Sequence, residues 1–380
     1  MPSRARQALG RIVLRGPALA AWTVRQYRRV ERAYGKEILR HSTQNIPAKR
    51  PFRVEGLVRS ILVIADCMWE QNELVPDLKR KWDVTLLDLH PSLQQHLPSC
   101  EAEKALRAIE SFRAANSTLQ PDVILLYAAA PLLSDPLFDA LRQAWKCPIV
   151  GMNLDDKTTF FEYGVFSAGN HNYRRWVGKF DLNITSTLAA VEWYHEAGGA
   201  CLYSPAGVNL PDDLAPPEPD HKFDRLLSFV GSARLERQAV IKRLEEFNVP
   251  VTLYGTGWRQ SGWAANPRGI YRSSQINLGI GFSTATQAQT SLKARDFECP
   301  GAGACYVTTY NWELPNHYEM GKEILCYRNV EELIEIFAYY RKRPQECLKI
   351  AQAAFRRARA EHTWRKRFEN VFRELGLKYA

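Results

Sequence analysis

From residue 60 onward, short apolar runs alternate with amphipathic stretches. The first series is Ile61–Ala65, Val84–Leu89, Val123–Tyr127, Ile149–Leu154, Leu182–Thr185 and Ala200–Tyr203, with helical patterns such as Glu103–Ala115 and Pro136–Trp145 between them. Short, mostly apolar runs of this kind belong to strands covered on both faces, so the alternation with helical stretches predicts a parallel sheet with helices on either side. The pattern breaks at residues 209–224, which hold four prolines and five acidic residues and read as a linker. It resumes with Leu226–Val230, Val251–Tyr254, Ile276–Ile280, Cys305–Thr309 and Ile324–Tyr327, a second sheet of the same kind. The rest is helical. Asn329 and Glu332 have the spacing of a capping box, Pro344 suits the first turn of a further helix, and Trp364, Phe368, Val371, Phe372 and Leu375 form a last apolar stripe that could cross back to the first sheet. The expected organisation is an arm at 1–55, a first α/β domain at 56–210, a linker at 211–224, a second α/β domain at 225–345 and C-terminal helices at 346–380.

In the arm, Leu19, Thr23, Tyr27, Val30, Tyr34 and Ile38 share one face of a helix, flanked by Arg25, Arg28, Arg29 and Arg32. Residues 1–60 carry 14 Lys and Arg against 3 acids, while the remainder carries 37 bases and 38 acids. The body is therefore near neutral, which argues against a nucleic-acid-binding surface. At roughly 1 kcal/mol per basic residue near an acidic leaflet, the arm would attach weakly to an anionic membrane; packing on the body explains its stripe equally well. No apolar stretch reaches the 18 or so residues that span a bilayer, and Gly16–Val24 is a poor secretory signal. Eight cysteines without CxxC or paired metal spacing read as reduced thiols, so the expectation is a cytoplasmic protein, peripheral at most on the inner face of a membrane.

Ligands of open α/β sheets bind beyond the carboxyl ends of the strands, and several such loops here carry suitable chemistry. The segment 293–314 places Lys293, Arg295 and Glu298 on a short helix that ends at Gly301 and Gly303 before the next strand. Two cations and a carboxylate in that arrangement suit a phosphorylated, hydroxyl-rich ligand; a surface Arg–Glu pair is the plain alternative. Gly231-Ser232-Ala233-Arg234 opens a helix whose N-terminus offers N–H groups to an anion. Gly255-Thr256-Gly257-Trp258 is a turn carrying an aromatic for a base or sugar ring, and Tyr271-Arg272-Ser273-Ser274 could add hydroxyls. In the first domain Asp155 and Asp156 end a strand, with Asp66 and Trp69 after another, and are candidates to face an acceptor. His171, His195, His221, His317 and His362 stand singly, no metal site is expected, and no Walker loop, GxSxG, HExxH or repeat occurs.

The run Arg295-Asp-Phe-Glu298-Cys-Pro-Gly-Ala-Gly-Ala-Cys-Tyr-Val-Thr-Thr, the segment Gly321–Leu333, Glu361-His362-Thr363-Trp364-Arg365 and Phe229-Val-Gly-Ser232 together resemble the CgeB-type (spore-maturation-like) glycosyltransferases, relatives of the group 1 transferases. The resemblance covers most of residues 226–370 and implies the GT-B fold: two Rossmann-like domains facing a cleft, with the activated sugar on the second and the acceptor on the first. It implies a hexosyltransferase type of enzyme that needs no cofactor beyond a nucleotide-diphosphate sugar, with Glu298 on the donor, Arg295 near its phosphates, retention of configuration and an unknown glycan, lipid or protein acceptor. Where group 1 relatives often place a carboxylate eight residues before the Glu, this chain has Thr290. A nucleotide-sugar epimerase of the same architecture and an inactive nucleotide-sugar-binding scaffold are the competing expectations.

Overall fold

Strands form where the apolar runs lie, because only pairing satisfies their backbone once both faces are covered. A computed structural model describes residues 57–67, 69–93, 100–161, 172–218, 221–258, 266–282 and 290–379; the arm expected at 1–55 lies outside them. The chain divides into two compact units, one reaching to Pro205 and completed by Phe368–Ala380, the other formed by Ala206–Arg367.

The first unit holds a six-stranded parallel sheet of β1 (Ser60–Ala65), β2 (Asp83–Asp88), β3 (Val123–Tyr127), β4 (Ile149–Asn153), β5 (Leu182–Thr185) and β6 (Cys201–Tyr203). Their spatial order is β2-β1-β3-β4-β5-β6. Leu62, Val63, Ile64, Leu125, Leu126, Ile149 and Val150 are fully buried at its centre. Helices α1 (Glu101–Ala115), α2 (Asp135–Ala144) and α3 (Ala190–Glu196) belong to the same unit. Ser134 caps α2 by accepting from the Leu137 N–H, and Pro136 occupies its first turn.

The second unit holds a five-stranded parallel sheet of β7 (Arg225–Val230), β8 (Thr252–Tyr254), β9 (Ser274–Leu278), β10 (Tyr306–Thr309) and β11 (Leu325–Tyr327), in the order β11-β10-β9-β7-β8. Its helices are α4 (Leu235–Glu246), α5 (Pro267–Arg272), α6 (Arg295–Gly301), α7 (Val330–Tyr340) and α8 (Pro344–Arg357), followed by a π-helical turn at Ala358–His362. Asn329 caps α7 by accepting from the Glu332 N–H, while the Glu332 carboxylate reaches the N–H of Arg328, one residue before the cap.

The last helix, α9 (Trp364–Glu374), begins in the second unit and ends in the first. There Phe372 meets Trp82 edge to face at 5.1 Å, and Glu369 pairs with Lys81 at 2.9 Å. The chain then adds Lys378–Tyr379 in parallel to Leu57–Val58. Residues 211–218 carry no helix or strand, but they are tied to the second unit. Arg359 donates to the carbonyls of Pro211, Asp212 and Leu214, Arg272 to that of Ala215, and Gln352 to that of Pro217, while Arg365 pairs with Asp212. Prolines supply carbonyls without N–H groups, so side-chain donors take the place of a ladder.

Candidate functional site

In both sheets the second strand lies on one side of the first and the third on the other, so each has a reversal point, between β1 and β3 and between β7 and β9. Loops leave the carboxyl ends of the strands in opposite directions there and open a crevice.

At the β7–β9 crevice the loops after β7 and β8 are joined, Gly231 N–H donating to Tyr254 and Ala233 N–H to Thr256. The approach is so close that a Cβ on Gly255, whose φ is +117°, would lie 2.5 Å from the Gly231 carbonyl oxygen. A Cβ on Gly231 would lie 2.9 Å from Nη1 of Arg295, so that guanidinium rests on the loop backbone. Arg295 sits over the Phe229 ring at 5.2 Å and Arg237 over the same ring at 5.8 Å. Arg237 was not picked out from the sequence, although it is one helical turn after Arg234; its Nη1 donates to both the carbonyl and the hydroxyl of Ser232. Nε and Nη2 of Arg295 and Nε of Arg237 are buried without a hydrogen-bond partner. Burial, then the Arg295 and Arg234 charges, push the Arg237 guanidinium down to about 9. Arg234 itself is exposed, at the cap position of α4.

Three guanidiniums thus gather around one Gly-rich loop. Glu298 is partly buried, and burial raises its carboxyl against the opposing pull of Arg295. The Tyr271 hydroxyl, itself buried, hydrogen-bonds the same carboxylate. Asp296, also passed over in the sequence, is buried and fixes the start of α6 by accepting from Lys293 N at 2.7 Å, Tyr306 Oη at 2.9 Å and Thr308 Oγ1 at 3.1 Å. Arg295 is held among these partners rather than displayed on an exposed helix end.

Other residues proposed from the sequence have structural partners of their own. Gly301 and Gly303 sit at the far end of α6, where added Cβ atoms would strike Val208 and Pro217, so packing and the turn into β10 explain them. Gly257 has φ +86° beside Ala233. Trp258 is tied to the first loop, its indole donating to the Gly231 carbonyl at 2.7 Å and its ring meeting Phe229 edge to face. His317 and His362 pack around Phe297, and burial followed by the Arg367 charge pushes His362 down to about 3. A neutral His362 then donates from Nε2 to the His317 carbonyl and accepts at Nδ1 from Arg367. His171 lies outside the described residues.

At the β1–β3 crevice, Asp66, Trp69 and Asp155 come together on one cavity of about 170 Å³, which Glu70, Tyr127 and Tyr173 also line. Asp156 points away from it. Its carboxylate is buried and accepts from Asn153 Nδ2 at 2.8 Å, Tyr194 Oη at 2.7 Å and Thr185 Oγ1, and burial pushes it up to about 7. It therefore braces β4 against β5 and α3 instead of reaching a ligand. All eight cysteines are free thiols, and no group of His, Cys, Asp or Glu among the described residues is placed to hold a metal ion.

Residues 234–373 match a protein family described as glycosyl transferase-like, a broader assignment than the CgeB-type resemblance in the motifs. No curated protein matches the chain in sequence. Among solved structures, sucrose-phosphate synthase (tll1590) from Thermosynechococcus elongatus is 13% identical over 84% of this chain and 99% of its own, with a TM-score of 0.54. Alr3699/HepE of Anabaena, solved in complex with UDP and glucose, is 13% identical over 84% of this chain and 99% of its own, with a TM-score of 0.53. TarM of S. aureus is 10% identical over 70% of this chain and 58% of its own, with a TM-score of 0.51. At such identities the likeness is one of fold: two Rossmann-like domains, as in GT-B glycosyltransferases.

Proposed function

We propose that the protein transfers a hexosyl group from a nucleotide-diphosphate sugar to an acceptor, with the donor held by the second unit. The observation that carries this reading is the trio Arg234, Arg237 and Arg295 around the Gly231 loop, with buried N–H groups on two of them left unpartnered. Buried donors are rarely left without acceptors, and a diphosphate supplies several at once. Each charge-assisted hydrogen bond is worth about 1.5–3 kcal/mol, so Arg295 and Arg237 together can anchor the diphosphate without a metal ion. As the bond to the sugar breaks, charge grows on the departing diphosphate, and these fixed guanidiniums stabilise it more than they stabilise the intact donor. Lys293 and the N-terminus of α4 add to the same field. Glu298, held by Tyr271, accepts from hydroxyls of the sugar or ribose.

The complex of HepE with UDP and glucose supports UDP as the first nucleotide to try. The group 1 resemblance supports retention of configuration, which NMR of the anomeric proton in the product decides. Purified Arg295→Ala and Glu298→Ala proteins are expected to transfer sugar at least a hundredfold more slowly while melting within a few degrees of the parent. Near-normal turnover in both would remove the site. Products formed from nucleotide sugar alone separate an epimerase from a transferase, and a scaffold would form none.

A further inference from the structure

We propose that α5 is a positioning element for Glu298: Tyr271 holds the carboxylate, while Arg268 and Arg272 on either side fix α5 by binding carbonyls of the extended segment 209–215. That the carboxylate serves a donor sugar rests on the transferase reading; that α5 sets it does not.

A helix of 6 residues is too short to persist by itself, so its place comes from its partners. Pro267 occupies the first turn, and Asn266 caps it by accepting from the Gly269 N–H at 3.0 Å. At the other end, side chains take each of the last carbonyls. Ile270 accepts from Ser274 Oγ at 2.8 Å, Tyr271 from Asn277 Nδ2 at 2.9 Å and Arg272 from His221 Nε2 at 2.7 Å. Asn277 is buried in β9, so the backbone of Tyr271 is pinned to the sheet.

Two like charges four residues apart on one helix repel. Burial, then the Arg268 charge, holds the Arg272 guanidinium below its ordinary value. Both cations are tolerated there because each ends on a carbonyl of the extended segment, Arg268 Nη2 on Asn209 at 2.6 Å and Arg272 Nη1 on Ala215 at 3.1 Å. Tyr271 lies between them in sequence, is only 4% exposed and gives its hydroxyl to Glu298.

The groups acting on the Glu298 carboxyl are Arg295, Asp296 and Cys299 on its own helix and Tyr271 and Arg268 on α5. Burial raises it, Arg295 lowers it and Asp296 raises it, while the Tyr271 hydroxyl and the Arg268 charge both lower it. Besides orienting the carboxylate, α5 thus favours its ionised form, the one that accepts hydrogen bonds from hydroxyls of a sugar.

The test uses the full-length protein and two readouts. The first needs no substrate: carboxyl-carbon NMR of glutamate-labelled protein follows Glu298 through a pH titration, its signal assigned with Glu298→Gln. Tyr271→Phe keeps the ring and removes the hydroxyl, and should melt within a few degrees of the parent. In this variant and in Arg268→Ala the midpoint should move to higher pH, and Arg268→Lys should restore it. A midpoint unmoved in both Tyr271→Phe and Arg268→Ala would overturn the proposal. The second readout is titration with UDP, UDP-glucose, UDP-galactose and UDP-N-acetylglucosamine, which measures how much the sugar adds to nucleotide affinity. Tyr271→Phe and Arg268→Ala should reduce that gain by about fivefold or more, and a gain unchanged in both would equally overturn the proposal. If no hexose adds affinity in the parent while the midpoints move, the transferase reading loses Glu298 and the positioning by α5 stands.

Discussion

Asp156→Asn isolates a buried carboxylate whose protonation falls in an accessible range. Three neutral donors surround Asp156, and burial, with the Asp155 charge adding to it, lifts the carboxyl to about 7 from an ordinary value near 3.8. The folded state therefore holds a proton that the unfolded chain has released above about pH 4. Its contribution to stability is fully present below pH 4 and is lost as pH rises towards 7, at about 1.4 kcal/mol per unit, or about 4 kcal/mol across the window as an upper bound. Asparagine mimics the protonated acid and does not titrate. Below pH 4 the variant should be less stable than the parent by about 1 kcal/mol, because one amide N–H must find an acceptor where a donor stood. At pH 8 the order should reverse. Two units make a single global unfolding energy ill-defined, so the suitable measurement is hydrogen exchange at β4 and β5 amides between pH 5 and pH 8, corrected for intrinsic rates. Parallel pH profiles in the two proteins would refute the reasoning.

Two further outcomes follow from the second unit. Gly255→Ala forces a side chain onto φ +117° and against the Gly231 carbonyl; at about 2 kcal/mol or more it should lower the melting of the second unit by about 4–8 °C and abolish UDP binding, and an unshifted melt would contradict the close approach. Arg237→Gln keeps a donor for Ser232 but removes a charge crowded by Arg295 and Arg234. Titration should show UDP affinity reduced at least tenfold while the unliganded protein melts no lower than the parent, and unchanged affinity would place the diphosphate elsewhere.

The architecture was legible because strands covered on both faces leave unbroken apolar runs. Where a strand buries polar groups, its edge blurs: β9 was expected from Ile276 and begins at Ser274, whose hydroxyl donates to the Ile270 carbonyl, while Asn277 Nδ2 donates to Tyr271. Hydropathy cannot see a polar residue satisfied inside. The pair Asp155-Asp156 looks symmetrical in one dimension, yet the chain turns between them and sends one to a cavity and the other to Thr185 and Tyr194, partners 29 and 38 residues away. Arg237 was hidden for the opposite reason, since an arginine within a helix is ordinary and only the shared Phe229 ring shows that it joins Arg295.

The second sheet and its helices are an uninterrupted stretch of chain, whereas the first unit needs Phe368–Ala380 to be whole. During synthesis, the later-coded lobe can therefore emerge complete from the ribosome while the earlier-coded one still lacks the helix that covers Trp82 and the ribbon beside Leu57–Val58. Truncation before Phe368 would thus injure the amino-terminal lobe first, and a nascent chain halted there would be a substrate for chaperones despite having its second unit in place.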